Sequence, residues 1–143
     1  MIKNTIGNTV IAVTFLVASA AACAESIGGT PESGAGDKWQ SSWVNLEPTL
    51  KFSKGETLLI RVAGDAKNVL IRLLPEGSSP GSSEGIEGGI RDVPTDKLLV
   101  VQLERDHPRI KQISVHAGKE AWGRSLGETN GTVTIVSIDR RTP

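Results

Sequence analysis

Apolar and polar positions alternate most clearly in two neighbouring runs. Across Thr57–Ala63 the residues Leu58, Ile60 and Val62 share one parity, and across 68–74 Val69, Ile71 and Leu73 share another. Successive side chains of a strand point to opposite faces, so each run offers one continuous apolar face. The other faces carry Arg61 and Arg72, with Leu59, Leu70 and Leu74 beside them. Gly64-Asp65-Ala66-Lys67-Asn68 supplies turn-forming residues between the runs, which predicts a hairpin centred on 56–77. Its simplest register sets Arg61 opposite Arg72, and like charges opposite each other cost stability. Either both reach solvent or neighbouring carboxylates, or they present guanidinium groups to an anionic or polyhydroxyl ligand.

The same period of two recurs along the chain. Val44, Leu46, Leu50 and Phe52 predict a strand over 44–52, where Pro48 marks an edge, a bulge or a break. Leu99, Val101 and Leu103 predict a strand over 98–103, and Ile113, Val115 and Ala117 one over 110–117. A closing strand follows over 132–140, and a short one is expected within 90–93. The inward set includes Ile60, Val62, Val69, Ile71, Val101, Val115 and Ile135. Two long segments interrupt the strands: the Gly-, Ser- and Pro-rich run 75–89, and the Gly-bounded run 118–131, which holds Trp122. No window carries apolar residues at helical spacing with caps. Short strands at turn-punctuated intervals predict an all-β fold, an antiparallel sandwich or barrel.

The ends modify this picture. Lys3, the apolar run 10–18 and the small residues before Glu25 have the form of a secretory leader over 1–24. The expected product is exported, periplasmic or secreted, without a transmembrane segment. In the alternative reading Cys23, the sole cysteine, is the acylated first residue of a lipoprotein. Residues 25–38 lack apolar periodicity and read as a flexible lead-in, with the folded domain over 39–141. Basic and acidic residues balance at 16 each, so there is no basic stripe to hold nucleic acid.

Few residues suggest chemistry. His107 sits between Asp106 and Pro108 and is expected to be a solvated turn residue. His116 lies on a strand, on the parity opposite to Ile113 and Val115, and shares a face with Ser114. It lacks both a partner at zinc-ligand spacing and an orienting carboxylate. No Gly-x-Ser-x-Gly elbow or phosphate loop is present, and Glu84 and Glu87 fall in a segment expected to be too loose to fix a carboxylate pair. Neither an enzyme nor a metal or cofactor is expected. Tyrosine is absent, and there are three tryptophans, Trp39, Trp43 and Trp122. A loop tryptophan such as Trp122 either plugs the end of a sandwich or offers its flat indole as a stacking platform.

The order of these features resembles the jelly-roll sandwiches of galactose-binding-like domains, including many carbohydrate-binding modules. The resemblance rests on Lys51-Phe52-Ser53-Lys54-Gly55-Glu56-Thr57-Leu58 ahead of an aliphatic strand, on Ile113-Ser114-Val115-His116-Ala117-Gly118, on Trp122-Gly123, and on Asn130-Gly131-Thr132-Val133-Thr134-Ile135. It departs from typical sugar binders in having no tyrosine. It implies a non-catalytic domain that binds carbohydrate or another polar cell-envelope ligand. Trp122 would stack on that ligand, and Trp43, Arg72 and His116 would contribute. The rival expectation is a structural or protein-interaction domain of the envelope, whose tryptophans are buried plugs.

Overall fold

The computed structural model describes residues 24–127 and 131–143. Residues 1–23 of the expected leader, Cys23 among them, and residues 128–130, with Asn130, lie outside the described residues. The described residues form eleven strands: β1 (Ala24–Ser26), β2 (Pro31–Ala35), β3 (Trp39–Phe52), β4 (Thr57–Ala63), β5 (Asn68–Pro75), β6 (Arg91–Asp92), β7 (Leu98–Gln102), β8 (His107–Gly118), β9 (Glu120–Ala121), β10 (Arg124–Ser125) and β11 (Thr134–Arg141). One sheet has the order β1-β11-β4-β7 and the other β2-β3-β8-β5-β6, while β9 and β10 form a small separate hairpin. All pairings are antiparallel. From β3 onward the long strands alternate between the two sheets, which is the winding of a jelly roll. The protein is an all-β antiparallel sandwich of jelly-roll type.

The core is aliphatic because the chain has almost no aromatic residues to fill it. Leu58, Ile60, Val62, Leu99, Val101, Ile135 and Ile138 of one sheet face Val44, Leu46, Phe52, Val69, Ile71, Leu73, Ile113 and Val115 of the other, all in one cluster. All seven residues expected inside are buried. A few polar groups tie the layers together. Ser42 on the inner face of β3 accepts a hydrogen bond from the Ile135 backbone N–H at 2.9 Å. Arg140 donates to both carboxylate oxygens of Glu56, at 2.7 and 2.8 Å, and lies over the Phe52 ring. Among the described residues, no helix is long and apolar enough to cross a membrane.

Three expectations are corrected here. The central hairpin does not exist, because β4 pairs with β11 and β7, whereas β5 pairs with β8 and β6. The turn between them carries the chain from one sheet to the other, so Arg61 and Arg72 never face each other. Apolar alternation fixes which side of a strand is buried, but it does not fix the strand's neighbour. Residues 25–38 are not a loose lead-in: β1 pairs with β11, and β2 pairs with β3 from Pro31↔Val44 to Ala35↔Gln40. Edge pairing needs only backbone donors and acceptors, so it leaves no apolar signal. Finally, His107 is buried rather than solvated (4% exposed), and its Nε2 is 2.7 Å from the Glu87 carboxylate.

Pro48 coincides with an irregularity, as expected. The β3–β8 register shifts between Asn45 and Leu50.

Candidate functional site

The outer face of the five-stranded sheet holds the candidate site. Alternation within β3, β8 and β5 sends every second residue away from the core, and the registers align these residues in rows. One row runs Glu32–Trp43–Ser114–Arg72 across four strands. The next is Ser41–His116–Leu70, and on the other side lies Asn45–Gln112–Leu74. Two coverings rise above this floor. The segment 75–89 folds back along β5, with the Leu73 N–H donating to the Gly85 carbonyl at 2.8 Å and the Glu87 N–H to the Ile71 carbonyl at 2.9 Å. The β9–β10 hairpin lies at the other end. A cavity of about 510 Å³ remains between them, lined by all three tryptophans together with Arg72, Gln112 and His116, among others. Small-molecule pockets span roughly 300–1,000 Å³.

All four residues singled out in the sequence, Trp122, Trp43, Arg72 and His116, line this one cavity. Trp39 and Ser114 join them. Trp43 lies over Gly34 of β2: a Cβ there would come within 3.0 Å of the indole, and one at Gly36 within 2.4 Å of Trp39 Nε1. The glycines of the supposed lead-in are therefore the bed on which two indoles lie. Trp39 is 41% exposed, and Trp43 and Trp122 are half-buried.

Trp122 is neither a free platform nor a plug of the main core. It packs with Leu70, Ala121, Leu126 and Ile86 in a separate small cluster. It occupies the first position of a two-residue turn between β9 and β10, with φ of 50°, followed by Gly123 at 78°. Two successive positive φ values are what a tight hairpin of this kind requires, and a bulky residue there is strained by about 1–2 kcal/mol. Its ring is held on two sides: the Arg72 guanidinium carbon is 4.7 Å from the indole centroid, and His116 meets it edge-on at 4.1 Å between centroids.

Arg72 is the most buried charge of the site (2% exposed). Its Nη1 donates to the carbonyls of Pro80 at 2.8 Å and Ser82 at 2.7 Å, and its Nη2 donates to Gln112 Oε1 at 3.1 Å. Its Nε is buried without an acceptor. From Gln112 a chain of amides continues: Gln112 Nε2 donates to Asn45 Oδ1, and Asn45 Nδ2 to Glu32 Oε2. Burial lowers the Arg72 pKa, yet an arginine stays cationic at physiological pH. His116 has its pKa pushed down to about 3, first by burial and then by the positive charge of Arg72. It is therefore a neutral imidazole, with Nε2 3.0 Å from Ser114 Oγ.

Sequence reasoning missed the anchor of the 75–89 segment. Glu87 is 1% exposed; besides His107 it accepts the Glu104 backbone N–H, and Arg105 lies 4.0 Å from it. Gly85, at φ 83°, approaches the Leu73 carbonyl so closely that a Cβ would meet its oxygen at 1.9 Å. The visible signal was Ile86-Glu87, an apolar–acidic pair inside an otherwise small-residue run. Among the described residues, no group of three or more His, Cys, Asp or Glu side chains gathers to hold a metal ion.

No family model matches the sequence, and no curated protein is similar to it. A solved structure is similar: the low affinity xylan binding module CBM86 from the gut symbiont Roseburia intestinalis. The TM-score is 0.50 at 10% sequence identity, over 86% of this chain and 92% of that one. The chain shares the fold of that module. At this identity the likeness is one of architecture, and the site described above stands on its own geometry.

Proposed function

We propose that this protein is a non-catalytic, exported carbohydrate-binding domain whose site is the cleft on the outer face of the five-stranded sheet. The observation that carries the reading is the lining of that cleft. Three indoles surround a floor of hydroxyl and amide groups from Ser41, Asn45, Gln112 and Ser114. Sugar rings present C–H faces that pack on indoles and hydroxyls that need neutral donors and acceptors. No tryptophan is a buried plug, which favours a ligand site over a purely structural envelope domain. The xylan-binding description of the similar structure supports a saccharide as the ligand class.

Hydrolysis fits the cleft poorly. Glycosidases of the usual kind need two facing carboxylates, and none of the residues lining this cavity is acidic. The Ser114–His116 pair has hydrogen-bond geometry, but an imidazole titrating at about 3 is too weak a base to activate a hydroxyl near neutral pH.

The test is affinity electrophoresis of the exported form through gels containing xylan, mannan, β-glucan or acidic polysaccharides. Trp43→Ala and Trp122→Ala should each lose retardation while far-UV circular dichroism stays that of the wild type. Wild-type protein that migrates freely in every gel would sink the reading. Intact mass of the exported form checks the leader: Glu25 as first residue is expected, and an acylated Cys23 would identify a lipoprotein instead.

A further inference from the structure

We propose that the cleft selects acidic saccharides, with a ligand carboxylate docking at Arg72. This rests on the binding reading above and deepens it. The argument starts from an unbalanced charge. Arg72 is 2% exposed and lines the cavity, yet its hydrogen-bond partners are two carbonyls and one amide, all neutral. No carboxylate lies within ion-pair distance of it among the described residues. Buried charges are ordinarily paired, because taking an ion out of water costs several kcal/mol. The indole face of Trp122 offsets part of that cost, and the three hydrogen bonds another part.

What is left has a direction. A guanidinium has five N–H donors. Two on Nη1 and one on Nη2 are engaged, leaving Nε and the second Nη2 hydrogen without a protein acceptor among the described residues. The nearest acid in the same row is Glu32, on β2, three strands away. At roughly 4.8 Å per strand that is about 14 Å, beyond the screening length of physiological salt. It is joined to Arg72 only through the Gln112 and Asn45 amides. His116, the other titratable group against the guanidinium, is neutral and adds no charge. The cleft is thus lined at one end by a cation, with the exposed Glu32 beyond Asn45 at the other. A saccharide bearing a carboxylate satisfies the cationic end and is repelled by the other, so the arrangement sets orientation as well as class. A neutral saccharide leaves the cation as it was.

The loop tie to Pro80 and Ser82 makes Arg72 structural as well, so the test is made on the ligand side. Wild-type protein is run in paired affinity gels containing polygalacturonate, alginate, hyaluronan or glucuronoxylan, each beside its own carboxyl-reduced form. The expected result is retardation by at least one acidic polymer, with its reduced form about ten- to a hundredfold weaker, the range for a hydrogen bond to a charged group. Raising ionic strength should weaken the acidic interaction. Arg72→Lys, which keeps the charge, should retain the preference, and Arg72→Gln should lose it; melting curves report whether each variant is folded. Equal binding of an acidic polymer and its reduced form, or binding of neutral polymers only, overturns the selectivity and leaves the saccharide reading standing. Free migration in acidic and neutral gels alike overturns both.

Discussion

Two strands of this protein are nearly the same in sequence and opposite in fate. Leu58-Leu59-Ile60-Arg61-Val62 of β4 and Val69-Leu70-Ile71-Arg72-Leu73 of β5 both put aliphatic residues inward and an arginine outward. In β4 burial alternates and Arg61 is exposed, donating a long hydrogen bond to the Asp96 carbonyl at 3.5 Å. In β5 every residue from Val69 to Leu74 is buried, Arg72 included. The difference lies outside the strands. The outer face of β5 is covered by segment 75–89 and the β9–β10 hairpin, whereas among the described residues no comparable covering lies over β4. A strand's local pattern therefore determines its inner face, and distant loops determine whether its outer face is surface or site.

The comparison can be broken in several places. The largest effects should be equal. Ile60→Ala and Ile71→Ala sit on matching inner faces and should each cost about 2–5 kcal/mol in urea denaturation, as buried aliphatic truncations do. A large effect in β5 alone would mean that the two inner faces are not equivalent. The arginines should then diverge. Arg72→Ala strands the Pro80 and Ser82 carbonyls and should cost about 2–4 kcal/mol, whereas Arg61→Ala should stay within about 0.5 kcal/mol. Similar midpoint shifts for the two variants would refute the contrast.

His116 gives a pH-dependent version of the same difference. Unfolded, its imidazole titrates at 6.5, and folded at about 3. Between those values the unfolded chain binds a proton that the folded chain refuses, so stability falls as pH falls below 6.5. By pH about 5 this one group should remove about 2 kcal/mol. His116→Gln should show a correspondingly flatter stability profile from pH about 7 to about 5. A profile parallel to that of the wild type would show that His116 is not held neutral. Smallest of all, Ser79→Ala on the exposed part of the covering segment should change stability by under about 0.5 kcal/mol.

How far the sequence could be read follows the same division. Ile71, Val101 and Ile135 were legible as core because period-two alternation is a property of each strand alone. The pairing of β5 with β8 rather than β4 was not, because nothing in the turn 64–68 states whether the chain doubles back or crosses to the other sheet. Trp43, Arg72, His116 and Trp122 stood out by residue type and parity, and the structure gathers them in one cavity. Trp39 carries no such signal beyond its residue type. Its position depends on β2, which pairs through backbone groups and has glycines where a pattern would need side chains. Glu87 is masked by its Gly-rich run, because its burial depends on His107 and Glu104, 17–20 residues further along.

One feature of the cleft makes it unusually easy to watch. The chain has no tyrosine, and its three tryptophans all line the same cavity. Its tryptophan fluorescence, excited at wavelengths that phenylalanine does not absorb, therefore comes wholly from this cavity, with no background from the rest of the fold. Any guest that displaces water from those indoles, and any shift of the hairpin that carries Trp122, changes the emission of an unlabelled, unmodified protein. The molecule carries its own optical probe, located where a ligand would arrive.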